Sequence, residues 1–260
     1  MKKAMALMMA LMMAAVCLAG CSGSKENSDL SYVQGKKKLV VGITDYAPMD
    51  YKDENGDWTG FDAEFARLFA KELDVEVEFF ILSDWGQKFY ELETKNIDVI
   101  WNGMTLTDEV KLNTNCSDPY VLNAQVVVMK KDQVASYQDI DSIKGLKFAV
   151  ESGSAGEDAL KDREITDYVA VQDQTSAVME VAAGTAQACV IDITMARAMT
   201  GEGTSYDNLA IGLSLTEEEY VVGFRKDSDI TAEFNKFMKK LMQDGTLDAL
   251  AQKYSLTLVK

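Results

Sequence analysis

Apolar residues recur along this chain with two periods. "KLVVGIT" and "IDVIW" are continuous apolar runs of strand length, and "VEVEFF" alternates as a half-covered strand does. "FDAEFARLFAKEL" places Phe61, Phe65, Leu68 and Phe69 at i, i+4, i+7 and i+8, one face of a helix. "WGQKFYELETK" is expected to be helical, and "WNGMTLTDEVK" to be the end of a strand turning into a helix. After "AQVVVMK" a second series is predicted: "LKFAV", a helix from Ala155 to about Arg163, "YVAVQ", "TSAVMEVAAG", "ACVID" and a helix through "MARAM". "YVVGFRK" and two helices, "ITAEFNKFMKKLMQD" and "TLDALAQKY", close the chain. Such alternation predicts an α/β protein with parallel sheets covered by helices, in two units. Ligands of open α/β sheets bind at the carboxyl ends of strands. The loops after Thr44, Trp101, Val150 and Asp192 are therefore singled out.

Composition removes several kinds of chemistry. The 260 residues include no histidine, which excludes histidine bases, Ser-His-Asp and Cys-His nucleophile systems and histidine metal ligands. A formal charge of −16 argues against nucleic acid as a partner. None of the four cysteines forms a CxxC pair, so zinc and thioredoxin-type sites are not expected, and no cofactor or metal is anticipated. Cys116 and Cys189 are expected to be small buried thiols.

The N-terminus "MKKAMALMMALMMAAVCLAGC" has a basic start and an apolar run too short to span a membrane comfortably. It resembles the bacterial lipoprotein signal, with "LAGC" (Leu18–Cys21) as the lipobox. That resemblance implies cleavage of residues 1–20 and lipid on Cys21, whose two acyl chains suffice for stable anchoring. Removing two lysines and no acids takes the charge from −16 to −18. The polar "SGSKENSDLSYVQG" that follows is expected to be a flexible tether, residues 21–37.

Taken in order, "YAPMDYKDENGDWTGFD", "IDVIWNGMTLTDE", "SDPY", "LKFAVESGSAGEDAL", "VID" and "DGTLDALAQKY" resemble the polar amino-acid solute-binding proteins of bacterial ABC importers. The resemblance covers about Lys38 to Tyr254 and implies the type II periplasmic-binding-protein (Venus-flytrap) fold. In that fold two lobes, each a sheet flanked by helices, are joined by a two-strand hinge. Residues 38–123 and 220–260 would form lobe 1 and residues 124–219 lobe 2, with the crossings near Val121–Gln125 and Thr216–Val222. The implied protein is a monomeric, lipid-anchored binding component on the extracytoplasmic face of the cell membrane. It would deliver a small polar amino acid or amine to an ABC permease and catalyse nothing. A sensory protein without transport, or a cyclohexadienyl-dehydratase-like enzyme on the same fold, are the alternatives.

The resemblance also implies site residues. Tyr46 and Trp85 would cover the ligand from two sides, where an aromatic face can hold a cation. Asn102 matches a position that reads the ligand side chain, and Gly103 one whose carbonyl meets the ligand ammonium. Thr105 would donate its N–H and hydroxyl to the carboxylate, as would the Ser154 and Ala155 amides and the Ser154 hydroxyl. Asp192 matches the ammonium partner, although a carboxylate there also suits a helix N-cap. Glu151 is a candidate partner for a cationic side chain.

One position departs from the family pattern. The family segment usually runs G-x-[ST]-x-T-D-E-R, and its arginine grips the ligand carboxylate; here Val110 stands in its place. Lys111 is turned away by about 100° on a helix and lacks the planar fork. Either a cation elsewhere in the chain takes over the carboxylate, or the ligand is an amine that lacks one.

Overall fold

The structure, a computed structural model, describes residues 28–260. The signal segment 1–20, the lipidation residue Cys21 and the start of the tether lie outside the described residues. Helix α1 (Asp29–Gly35) leads into β1 (Lys38–Ile43). A small hairpin follows, β2 (Tyr51–Lys52) and β3 (Trp58–Thr59), then α2 (Phe61–Glu72) and β4 (Glu76–Ile81). A 3-10 turn at Trp85–Gln87 runs into α3 (Lys88–Glu93), followed by β5 (Val99–Thr105), α4 (Asp108–Asn113), β6 (Asn115–Cys116) and β7 (Val121–Asn123). The second series is β8 (Gln125–Lys130), α5 (Ile140–Ile143), β9 (Phe148–Glu151), α6 (Ala155–Lys161) and β10 (Tyr168–Val171). It continues with α7 (Gln174–Ala183), β11 (Ala188–Asp192), α8 (Ile193–Met199) and β12 (Leu209–Ser214). The chain returns as β13 (Glu218–Phe224) and ends in α9 (Ile230–Gln243) and α10 (Thr246–Lys253).

These strands build two sheets. The first runs β4-β1-β5-β13-β6, with β7 also on β13; the second runs β10-β9-β11-β8-β12. Both are mixed rather than wholly parallel. β1 is parallel to β4 and β5, whereas β13 is antiparallel to β5, β6 and β7. In the second sheet β9 is parallel to β10 and β11, and β8 is antiparallel to β11 and β12. The chain passes between the sheets on antiparallel strands: Ala124 separates β7 from β8, and residues 215–217 separate β12 from β13. No helix among the described residues is long and apolar enough to cross a membrane.

The helical spacing of α2 is realised as predicted from its periodicity. Phe61, Phe65 and Phe69 are fully buried, while Leu68 is partly covered. The rings of Phe65 and Phe234 meet Trp101 edge-on, each at 5.0 Å, and Phe237 of the C-terminal α9 stacks on Phe65. Burying each such ring contributes about 1.5–3 kcal/mol. This cluster fixes the base of the strand that carries Asn102 to Thr105.

The tether expectation is corrected for residues 29–35. They form α1, because the Ser28 hydroxyl caps it by accepting from the Ser31 N–H at 3.1 Å and Val33 is fully buried. Arg225 then pins the helix, its Nε donating to both Asp29 carboxylate oxygens at 3.0 and 2.9 Å. The same guanidinium donates to the Ile97 carbonyl at 2.7 Å and to fully buried Asp98 at 3.2 Å. Asp98 also receives the Val40 N–H at 2.8 Å and pairs with Lys36 at 2.6 Å. Cys189 is buried, while Cys116, on the short strand β6, is only half-buried.

Candidate functional site

The carboxyl ends of β1, β5, β9 and β11 converge on one cleft between the sheets that is partly open to solvent. Tyr46, Trp85, Asn102, Gly103, Thr105, Glu151, Ser154, Ala155 and Asp192 all line it. The expected loop after Trp101 is instead strand: β5 continues to Thr105, and its register against β13 slips between Ile100 and Met104. Gly103 lies in that slip at φ +55, and a Cβ there would come within 2.6 Å of the Tyr46 ring. Its N–H donates to buried Asp62 at 2.6 Å, and Tyr120 Oη donates to the same carboxylate at 2.9 Å.

Several of these side chains are already engaged within the protein. Asn102 accepts the Thr44 N–H at 2.6 Å and donates to the Thr44 hydroxyl at 2.9 Å, so its amide fastens the loop after β1 rather than reaching into the cleft. Tyr46 Oη meets Thr194 Oγ1 at 2.6 Å and Tyr220 Oη at 2.5 Å, joining the loop after β1 to helix α8 and to β13. The Thr105 hydroxyl donates to Glu218 at 2.9 Å. The Ser154 hydroxyl accepts the Glu157 N–H at 3.2 Å, capping α6.

Asp192 ends β11 and is almost fully buried. It makes no N-cap bond to α8, which removes the capping alternative. Its carboxylate accepts from Gln125 at 2.8 Å and from the amides of Asn123 and Gln174. Gln125 and Asn123 also donate to Glu218, at 3.0 and 3.1 Å. Burial, and then the neighbouring Glu218, push the Asp192 carboxyl up to about 6. Glu151 is likewise buried, and burial followed by the fields of Asp192 and Asp173 pushes it up to about 8. Neither carboxylate forms an ion pair with a Lys or Arg among the described residues.

Val110 is buried in an apolar cluster with Leu82, Trp85, Leu92 and Met104. Lys88, an ordinary position in the helical pattern of the sequence, lines the cleft and is 4% exposed. Its Nζ stands 4.9 Å over the Trp85 ring and 4.6 Å over Phe89. It donates to the Trp85 and Gly153 carbonyls, each at 3.3 Å, and so connects the 3-10 turn of the first sheet to the loop after β9. Gly153, at φ +68, lets that loop pass within reach of the Gly86 backbone, where a Cβ would lie 3.1 Å from Gly86 Cα. Burial pulls the Lys88 ammonium below its usual range, and Glu109 and Glu151 oppose that shift. Lys88 is the one Lys or Arg among the lining residues, against Asp45, Glu109, Glu151, Asp158 and Asp192.

The buried carboxyls set the pH response of the ligand-free protein. A group whose folded pKa exceeds its unfolded value contributes stability that is complete below the unfolded pKa and lost as pH rises through the folded one. Asp192, Asp62 and Glu151, at about 6, 7 and 8, all act in that sense. The lowered carboxyls, such as Glu64 and Glu157, oppose it only at more acid pH. Scanning calorimetry is therefore expected to show a higher melting temperature at pH 5.5 than at pH 8. A flat profile would mean that these carboxyls are solvated.

Among known proteins, the family described as bacterial extracellular solute-binding proteins, family 3, matches residues 39–257. The arginine-binding extracellular protein ArtP of Bacillus subtilis (strain 168) is 30% identical over 257 residues, covering 97% of this chain and 98% of ArtP. A mutant of ArgBP from T. maritima superposes with a TM-score of 0.81 at 31% identity, over 87% of this chain and 98% of that one. An ancestral amino-acid-binding protein described as a precursor of cyclohexadienyl dehydratase has a TM-score of 0.80 at 31% identity, over 87% of this chain and 99% of that one. With its two mixed sheets, its cleft at their strand ends and this match along nearly the whole described chain, the protein belongs to the bacterial extracellular solute-binding proteins, family 3.

Proposed function

We propose that this protein captures a cationic amino acid outside the cytoplasm and hands it to the permease of an ABC importer. The observation that carries this reading is the pair of buried carboxylates, Asp192 and Glu151, that line the cleft without a protein cation bonded to them. Burying an ionised carboxylate costs several kcal/mol unless it is paired. A ligand with an α-ammonium and a cationic side chain supplies both partners, Asp192 taking the first and Glu151 the second. The Tyr46 and Trp85 rings add apolar cover for the aliphatic part of such a ligand. Similar proteins named for binding arginine, or lysine, arginine and ornithine, agree with the charge of the cleft. The "LAGC" motif supports lipid anchoring through Cys21 at the extracytoplasmic face.

An enzyme acting on cyclic dicarboxylates needs cations for two carboxylates, whereas this cleft offers one lysine and five acids. Thermal-shift and calorimetric titration with L-arginine, L-lysine, L-ornithine, L-glutamine and L-glutamate tests the proposal. At a ligand concentration of about 100 times Kd, binding stabilises by about 2.7 kcal/mol, a readily measured rise in melting temperature. At least one cationic amino acid is expected to give it. A panel in which glutamine or glutamate binds and no cationic member does would overturn the reading.

A further inference from the structure

We infer that Lys88 Nζ is the group that receives the ligand's α-carboxylate, from α3 instead of from the position of Val110. The inference rests on the cationic-amino-acid reading of the cleft. An ammonium carries three donors. Two of those on Lys88 go to neutral carbonyls, Trp85 and Gly153, and no carboxylate of the protein lies within ion-pair distance among the described residues. The ammonium is bonded only to neutral oxygens and two ring faces, with Glu109, Glu151 and Asp158 acting on it from beyond ion-pair distance, so an anionic group brought into the cleft gains a charge-assisted hydrogen bond there. The alternative donors are fewer than the sequence suggested. Val110 lines the cleft but offers only an apolar side chain, and the Thr105 hydroxyl is committed to Glu218. Asp45 and Asp192, away from Lys88, repel an anion elsewhere along the lining. Lys88 is thereby a specificity-determining residue: it separates amino acids from the corresponding decarboxylated amines, which the acids alone would hold equally well.

The test is calorimetric titration of the wild type and K88M with three matched pairs: L-arginine and agmatine, L-lysine and cadaverine, L-ornithine and putrescine. In the wild type the amino acid of the binding pair is expected to win by about tenfold to about 150-fold, the span of one lost charged hydrogen bond. K88M is expected to lose that factor for the amino acid and to hold the amine as tightly as before or more tightly. K88R, which keeps a cation there, is expected to restore part of the preference. An equal loss for both members of a pair would make Lys88 a latch between its two loops, and an unchanged amino-acid affinity would place the carboxylate elsewhere; either overturns the inference. Should K88M fail to fold, the wild-type comparison still decides, because agmatine bound as tightly as arginine overturns it without any variant. If the wild type binds none of the three amino acids, the proposed function itself fails, an outcome distinct from a missing preference.

Discussion

Asp192→Ala is expected to weaken binding of the cationic amino acid by about 30-fold to several thousandfold, equivalent to roughly 2–5 kcal/mol for truncating one partner of a buried charge pair. The loss arises from the ligand ammonium, which would enter the cleft without its carboxylate. The fold should survive the change. Two of the three amides that Asp192 accepts from, Asn123 and Gln125, keep Glu218 as an acceptor, and Gln174 lines the cleft. The substitution also removes a carboxyl that burial and Glu218 hold at about 6, so the ligand-free protein should lose part of its stabilisation on acidification. Calorimetric titration together with melting curves at pH 5.5 and pH 8 reads both effects. An unchanged dissociation constant would remove Asp192 from the site.

The largest loss of stability is expected at Arg225, away from the cleft. Arg225→Met leaves Asp98 fully buried with only Lys36 as a cationic partner and frees Asp29 at the start of α1. Removing one partner from a buried ionic cluster costs about 3–5 kcal/mol. Urea unfolding is expected to show that loss, and hydrogen exchange should quicken in residues 29–35, which lean on this guanidinium. Ligand affinity of the folded fraction should not change, because Arg225 does not line the cleft. A loss below about 1 kcal/mol, the scale of an exposed pair, would show that the cluster is hydrated.

Periodicity makes the helices legible: Phe61, Phe65 and Phe69 announce the buried face of α2, and the apolar runs ending at Thr44, Val150 and Asp192 mark strand ends that meet at the cleft. Side-chain commitments were not legible in the same way. Asn102 and Thr105 occupy the cleft lining, yet their polar groups are spent on Thr44 and Glu218, partners distant in sequence. Glu218 sits in an acidic run that reads as a solvated face, and Lys88 in a charged helix that reads likewise. A cue for Lys88 exists, since it follows Trp85 by three residues and precedes Phe89, placing its ammonium over two rings. Helix α1 is hard to see in the sequence because it is only seven residues long and follows a polar, Ser- and charge-rich stretch; a cap and tertiary bonds hold it.

The place of β13 also dictates the order in which the chain can assemble. Tyr220 pairs with Thr105 and Phe224 with Val99, so the whole of β8 to β12 is synthesised between a strand and its neighbour. The second sheet is continuous in sequence and can pair as it emerges, whereas the first keeps β5 as an open edge until the end. Pairings so distant are slow to form, and an unpaired apolar edge invites association with other chains. The half-built first sheet is therefore exposed to association until the C-terminal strand and helices arrive.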